Sequence, residues 1–154
     1  MPKINLKDIP IKAGSGYPAP FDQPCLQRHR KSPGDEAGLT QFGAHIVSLS
    51  PGAWSSQRHW HSAEDELILI LKGHPTFIDE DGAQTLSPGD MTAHKAGDPN
   101  GHHMKNETGD TVEFLIIGGR TPETDHAYYP DIDLDLPANG SPDRRYKHKD
   151  GTSY

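Results

Sequence analysis

Between residues 41 and 120, turn-forming residues interrupt the chain at intervals of roughly 8–12 residues, a spacing that suits short strands and leaves little room for helices. Ser50-Pro51-Gly52, Gly73, Glu80-Asp81-Gly82 and Pro88-Gly89-Asp90 are the clearest breaks. Glycine tolerates the positive φ of tight turns and proline pre-sets the first turn position. No stretch sustains an apolar period of 3.6. Strands are expected at 41–49, 54–61, 67–71, 76–78, 84–86, 91–94, 102–106 and 111–117. The run Leu67-Ile68-Leu69-Ile70-Leu71 is apolar on both faces, as expected for a strand buried between two sheets. About eight short strands on this spacing predict an all-β sandwich or barrel.

The flanks have a different character. Residues 1–40 are polar and broken by Pro2, Pro10, Pro18, Pro20, Pro24 and Pro33, so they are expected to wrap the domain rather than form its core. Residues 121–154 alternate Asp125, Asp131, Asp133 and Asp135 with Tyr128, Tyr129, Ile132 and Leu134, with a loop expected at 137–142. That tail is too apolar to be wholly disordered and is expected to lie on the barrel or on a partner subunit. A length of 154 residues with 32% apolar content bounds the chain to one domain. The expected division is a wrapping segment at 1–40, a barrel at 41–120 and an extension at 121–154.

A net charge of −7 argues against a nucleic-acid surface, which needs a basic stripe. The short basic run Arg28-His29-Arg30-Lys31 reads as a solvated turn. Cys25 is the single cysteine, so no internal disulfide can form. The first residues lack the apolar core of a signal peptide, and the longest apolar run, Leu67 to Leu71, has five residues, far short of a membrane span. A cytoplasmic protein is therefore expected.

Chemistry concentrates in the segment from Arg58 to Glu66. His59 and His61 are two apart, so on a strand both imidazoles point to one side, whereas on a helix they would lie about 200° apart. Beyond them the polar residues Ser62-Ala63-Glu64-Asp65 suit a turn, and Glu64, Asp65 and Glu66 compete as a third, acidic ligand. Two histidines and a carboxylate on one face form an open site for a divalent metal such as Fe, Mn, Zn, Ni or Co. The bland alternative is a chance His-x-His on a wet strand, in a chain with ten histidines.

Residues 52–106 resemble the cupin superfamily. Its first motif, G-x5-H-x-H-x3,4-E-x6-G, is met by His59, His61, Glu66 and Gly73, with six residues instead of five after Gly52. The x6 step selects Glu66, and Asp65 and Glu64 are left as a solvated turn. The second motif is met loosely. His102-x3-Asn106 and the Pro88-Gly89 turn fit, but Lys95 stands where proline is common, and four residues separate Gly97 from His102. The Asn106 spacing selects His102 over His103, which alternation would turn outward. The other histidines have no motif position, with His94 the one expected nearest the cavity mouth. The flanks are similar to a bacterial group of small single-domain cupins.

The resemblance implies a double-stranded β-helix, or jelly-roll, barrel holding one metal ion on His59, His61, Glu66 and His102, and a homodimer. It also implies isomerase, lyase or dioxygenase chemistry on a small polar metabolite such as a sugar phosphate or oxo acid. The rival is a barrel that binds or senses a small molecule without turnover. Phosphate recognition would need cations near the mouth, for which Lys72, Lys95, Lys105 and Arg58 are the candidates.

Overall fold

Two eight-residue strands, β3 (Phe42–Leu49) and β10 (Val112–Gly119), lie antiparallel along their whole length in the computed structural model and found the main sheet. The structure describes residues 3–138 and 145–154, so most of the loop expected at 137–142 lies outside the described residues. β10 also pairs with β5 (Glu66–Lys72), β5 with β8 (Met91–His94), and β3 with β2 (Arg28–Lys31), which in turn pairs with β1 (Lys12–Ala13). The resulting order is β1-β2-β3-β10-β5-β8. A second sheet joins β6 (Thr76–Asp79) to β7 (Gly82–Thr85) and β9 (His103–Lys105). A third joins β4 (Trp60–His61), β11 (Ala127–Tyr128) and β12 (Asp135–Leu136). The only α-helix among the described residues is a single turn, Pro33–Glu36. The architecture is the expected all-β double-stranded β-helix.

Directly paired residues face the same way, so the register defines the barrel interior. Leu49 pairs with Val112, and Val47 with Phe114, which pairs with Ile70. These side chains pack against Ala53, Phe77, Leu86 and Met104 from the facing strands. Each large side chain fully buried this way contributes about 1.5–3 kcal/mol of transfer free energy. Gly73 closes β5 at φ +75°, and a Cβ there would lie 2.7 Å from Val112 Cγ1. Glycine is required on both counts.

Several expectations need correction. β5 is covered on one face only. Ile68 and Ile70 are buried, while Leu67 and Leu71 are 36% and 43% exposed, because no second layer covers that side of the sheet. The strand expected at 54–61 is regular only at Trp60–His61, with isolated bridges at Trp54–Lys105 and His59–His102. Between them, the Ser55 amide still donates to the Met104 carbonyl, but the Met104 amide donates to Ser55 Oγ and Gln57 Nε2 donates to the Phe21 carbonyl, so side chains replace part of the ladder. Residues 28–31 are a strand and not a solvated turn, and the N-terminal segment supplies two strands of the main sheet.

The tail packs on its own barrel. Ala127, Tyr129 and Leu134 form a second small core with Tyr17, Phe21 and Tyr146. It is therefore not a free apolar surface awaiting a partner. Leu134 is fully buried there. Leu134→Ala should lower the unfolding free energy in urea by about 2–5 kcal/mol. An unchanged midpoint would mean that the tail detaches without cost.

Candidate metal centre

The interior face of the main sheet changes character toward one end. Beyond Ile116 and Ile68, the register brings Gly43, Gly118, Glu66 and His94 into one row across four strands. Apolar packing gives way there to two residues without side chains and two whose side chains could hold a metal ion. His59 and His61 approach from the adjoining segment, held by the bridge of His59 to His102 and by the pairing of His61 with Ala127.

Ligand atoms of His59, His61 and Glu66 lie within 4.8 Å of one another, and so do those of Glu66, His94 and His102. The four residues singled out from the sequence thus meet at Glu66, and the His59 and His102 rings are 5.1 Å apart. His94, which has no motif position, joins them and stacks on His102 at 3.3 Å between ring centres.

Hydrogen bonds orient the rings. His59 Nδ1 donates to the Gln57 carbonyl at 2.9 Å, and His61 Nδ1 donates to Asp125 Oδ2 at 2.8 Å. In both rings Nε2 is left with its lone pair, the form that binds a metal ion. His102 Nε2 donates to Glu66 Oε1 at 2.9 Å, and its buried Nδ1 has no hydrogen-bond partner. Three imidazoles around a carboxylate are a donor set suited to a borderline divalent ion.

Burial drives His59 down to about 3, helped by His61 and His102, so it stays neutral at ordinary pH. Burial alone would raise Glu66, but the His102 hydrogen bond and the neighbouring imidazoles outweigh it and bring the carboxyl to about 2. Burial also opposes protonation of His61, and the Asp125 hydrogen bond and charge overcome it and raise that group.

Asp125 is the residue that sequence reasoning missed. It is fully buried, and Oδ1 accepts the Ala63 amide at 3.0 Å while Oδ2 holds His61. It stands 64 residues from His61, among other tail acids, and no local signal marks it. The turn acids also differ from expectation. Asp65 is exposed, but its carboxylate accepts the Ala96 amide. Glu64 is half-buried, accepts the Thr121 amide at 2.6 Å and lies beside His61 and Asp125. His103 does point away from His102, yet it is buried and not at the surface. Its Nδ1 donates to the Ser56 carbonyl and its ring packs edge-on to Trp54. A strand covered on both sides leaves no outward solvent face for it.

A cavity of about 610 Å³ opens over these groups, and Glu64 and Glu66 are its lining carboxylates. Its cations are not the expected ones. Arg58 is bonded to Asp131 and Glu80, and Lys105 lies over the Trp54 ring. Neither they nor Lys72 line it, and Lys95 lines a smaller cavity of about 170 Å³ behind His94. Arg28, Arg30 and Arg120 line the large one.

The cupin domain family matches residues 45–118. The chain is similar to a sugar phosphate isomerase of the cupin superfamily from Silicibacter pomeroyi, with 38% identity, 99% of this chain and 96% of that one covered, and a TM-score of 0.92. It is also similar to a proposed sugar phosphate isomerase from Acidithiobacillus ferrooxidans, at 28% identity, with 82% and 80% of the two chains covered and a TM-score of 0.73. A polyketide cyclase from Streptomyces resistomycificus shares the fold at 18% identity, with 79% and 80% covered and a TM-score of 0.62. No curated protein matches the chain.

Asp125 generates a direct test. Asp125→Asn keeps the shape and removes the charge that raises His61, leaving burial to dominate. In chelator-treated protein, the His61 pKa followed by NMR should fall below its wild-type value. An unchanged titration would show that Asp125 does not control that ring.

Proposed function

The chain belongs to the cupin superfamily, and from that premise we propose that it holds one divalent metal ion on His59, His61, Glu66 and His102 and acts as an isomerase on a sugar phosphate. The observation that carries the reading is the pair of imidazoles whose Nδ1 atoms are committed to Gln57 and Asp125, so that both Nε2 lone pairs are available beside Glu66. The 38% identity to a protein named as a sugar phosphate isomerase supports the substrate class over an oxo acid.

A bound divalent ion would supply Lewis-acid polarisation of the substrate's carbonyl. The chain's own residues do the rest. Interconversion of an aldose and a ketose moves a proton between neighbouring carbons, which requires a base beside the carbonyl. Glu64 is the lining carboxylate outside the ligand set, and its bond to the Thr121 amide fixes its position. Tyr17 and Tyr146 close the opposite wall, where they contact each other at 5.3 Å between ring centres.

We place the homodimer on the outer face of the main sheet. Phe42 on β3, Leu67 and Leu71 on β5 and Met91 on β8 are exposed there, an apolar patch that a second copy would cover about a two-fold axis. In light scattering the wild type should be a dimer, and Leu67→Lys with Met91→Lys should make it a monomer. A double variant that stays dimeric would move the interface elsewhere.

The metal assignment has its own test. Elemental analysis should find close to one first-row divalent ion per chain, and His59→Ala with His61→Ala should remove it. Glu66→Gln and His102→Ala should each weaken metal binding at least about tenfold, roughly 1.4 kcal/mol, and Asp65→Asn much less. Full metal retention by the double-alanine variant contradicts the ligand set. Turnover of fructose 6-phosphate or another hexose phosphate by the metal-loaded enzyme supports the isomerase. Saturable binding with no turnover across a sugar phosphate panel would instead make the protein a sensor.

A further inference from the structure

Arg28 and Arg30 are two apart on β2, so both side chains point to one face. Their register partners on β3 are Leu49 and Val47, two fully buried core residues, which makes that face the barrel interior. His29 and Lys31 take the outer face, where Lys31 Nζ donates to the Leu6 carbonyl. Two arginines have thus been folded inward onto the wall of the cavity that also contains His59, His61, Glu66 and His102.

Among the described residues neither arginine has a counter-ion. The Nε atoms of both are buried with no hydrogen-bond partner, and among the described residues neither pairs with a carboxylate. Arg28 has one bond, from Nη1 to the Gly14 carbonyl at 3.3 Å. Arg58, by contrast, pairs with Asp131 and Glu80, and Arg120 with Asp35. Two half-buried cations side by side, with their Nε atoms buried and no anion between them, are unfavourable, and a neutral ligand would not relieve that. Their field reaches His45. Burial, then Arg30, with Arg120 and Arg28 adding to it against Asp35, drives that imidazole down to about 4.

We propose that Arg28 and Arg30 form an anion subsite that holds the phosphate monoester of the substrate while its carbonyl end lies at the histidine and Glu66 cluster. Paired guanidinium forks match the oxygens of a dianion, as a single lysine would not. β2 is three strands from β5, and Arg30 pairs four residues along β3 from Gly43, so the two ends lie about 20 Å apart at the usual strand spacing and rise, before the long arginine side chains reach back. Gly118 lies in the row of Glu66 with no side chain of its own, while the space over Gly43 is taken by His45 Nε2 and Arg120 Nη2, which stand 2.8 and 3.3 Å from where a Cβ would be. The position of the substrate's far end rests on the function proposed above, but the anion subsite does not need the metal.

Calorimetric titration of the full chain with inorganic phosphate separates the two readings. Wild-type protein should bind one phosphate per chain, with or without chelator treatment. Arg30→Gln should weaken it at least about tenfold and Arg28→Gln with Arg30→Gln should abolish it, because charge-assisted contacts are removed from a desolvated site. Arg28→Lys with Arg30→Lys keeps the charge and guards against a folding defect. It should melt like wild type and bind phosphate with intermediate affinity. His59→Ala with His61→Ala should bind phosphate within about twofold of wild type. If that variant keeps phosphate binding but wild-type protein carries no metal, the metal reading fails and the subsite stands. Phosphate binding lost in the histidine variant but retained in the folded glutamine or lysine variant would place phosphate at the metal and overturn the subsite. No binding by wild type at millimolar phosphate would also overturn it.

Discussion

The register of β10 between β3 and β5 is the constraint on which the rest depends. Side chains alternate with a period of two, so a one-residue slip would turn Val47, Phe114 and Ile70 outward and remove the core. The same slip would turn Glu66 and His94 away from His59 and His61. Core and site are two ends of one inward-facing surface, and the free energy of packing the first holds the second in place. Gly43 and Gly118 mark the change between them: Gly118 presents no side chain, and at Gly43 the polar groups of His45 and Arg120 take the place of apolar packing.

The tail completes what the sheet begins. Burying the Asp125 carboxylate is costly, and hydrogen bonds from His61 and the Ala63 amide offset that cost. In return the bond fixes the tautomer of His61. The tail is held nearby by a small aromatic core of its own, in which Tyr129 stacks on His59 at 5.7 Å and packs edge-on against Tyr17 at the same separation. Segments from both ends of the chain therefore set the orientation of two imidazoles in the middle.

Charge is distributed unevenly over the molecule. A chain of net charge −7 lines with three arginines the same cavity that holds a cluster of imidazoles around a carboxylate. Such a cavity attracts an anion against the sign of the whole protein, because groups on low-dielectric walls dominate the local field.

Much of this was legible in the sequence. Turn residues at short intervals, the absence of a helical period and His59-x-His61 with Glu66 and Gly73 led to the barrel and to the residues grouped at the candidate site. Gly73 carried that signal because its backbone is left-handed and Val112 leaves no room for a side chain. These are local properties, set by φ, by alternation and by spacing along a few residues. What only the tertiary structure decided was which distant groups meet. Asp125 reaches His61, the tail covers its own barrel, His103 is buried, and a basic run that reads as a solvated turn becomes an inward-facing strand. The direction in which Arg28 and Arg30 point is not a property of residues 28–31. It follows from their pairing with Val47 and Leu49, and strand pairing across the fold is fixed by the burial of the whole sheet.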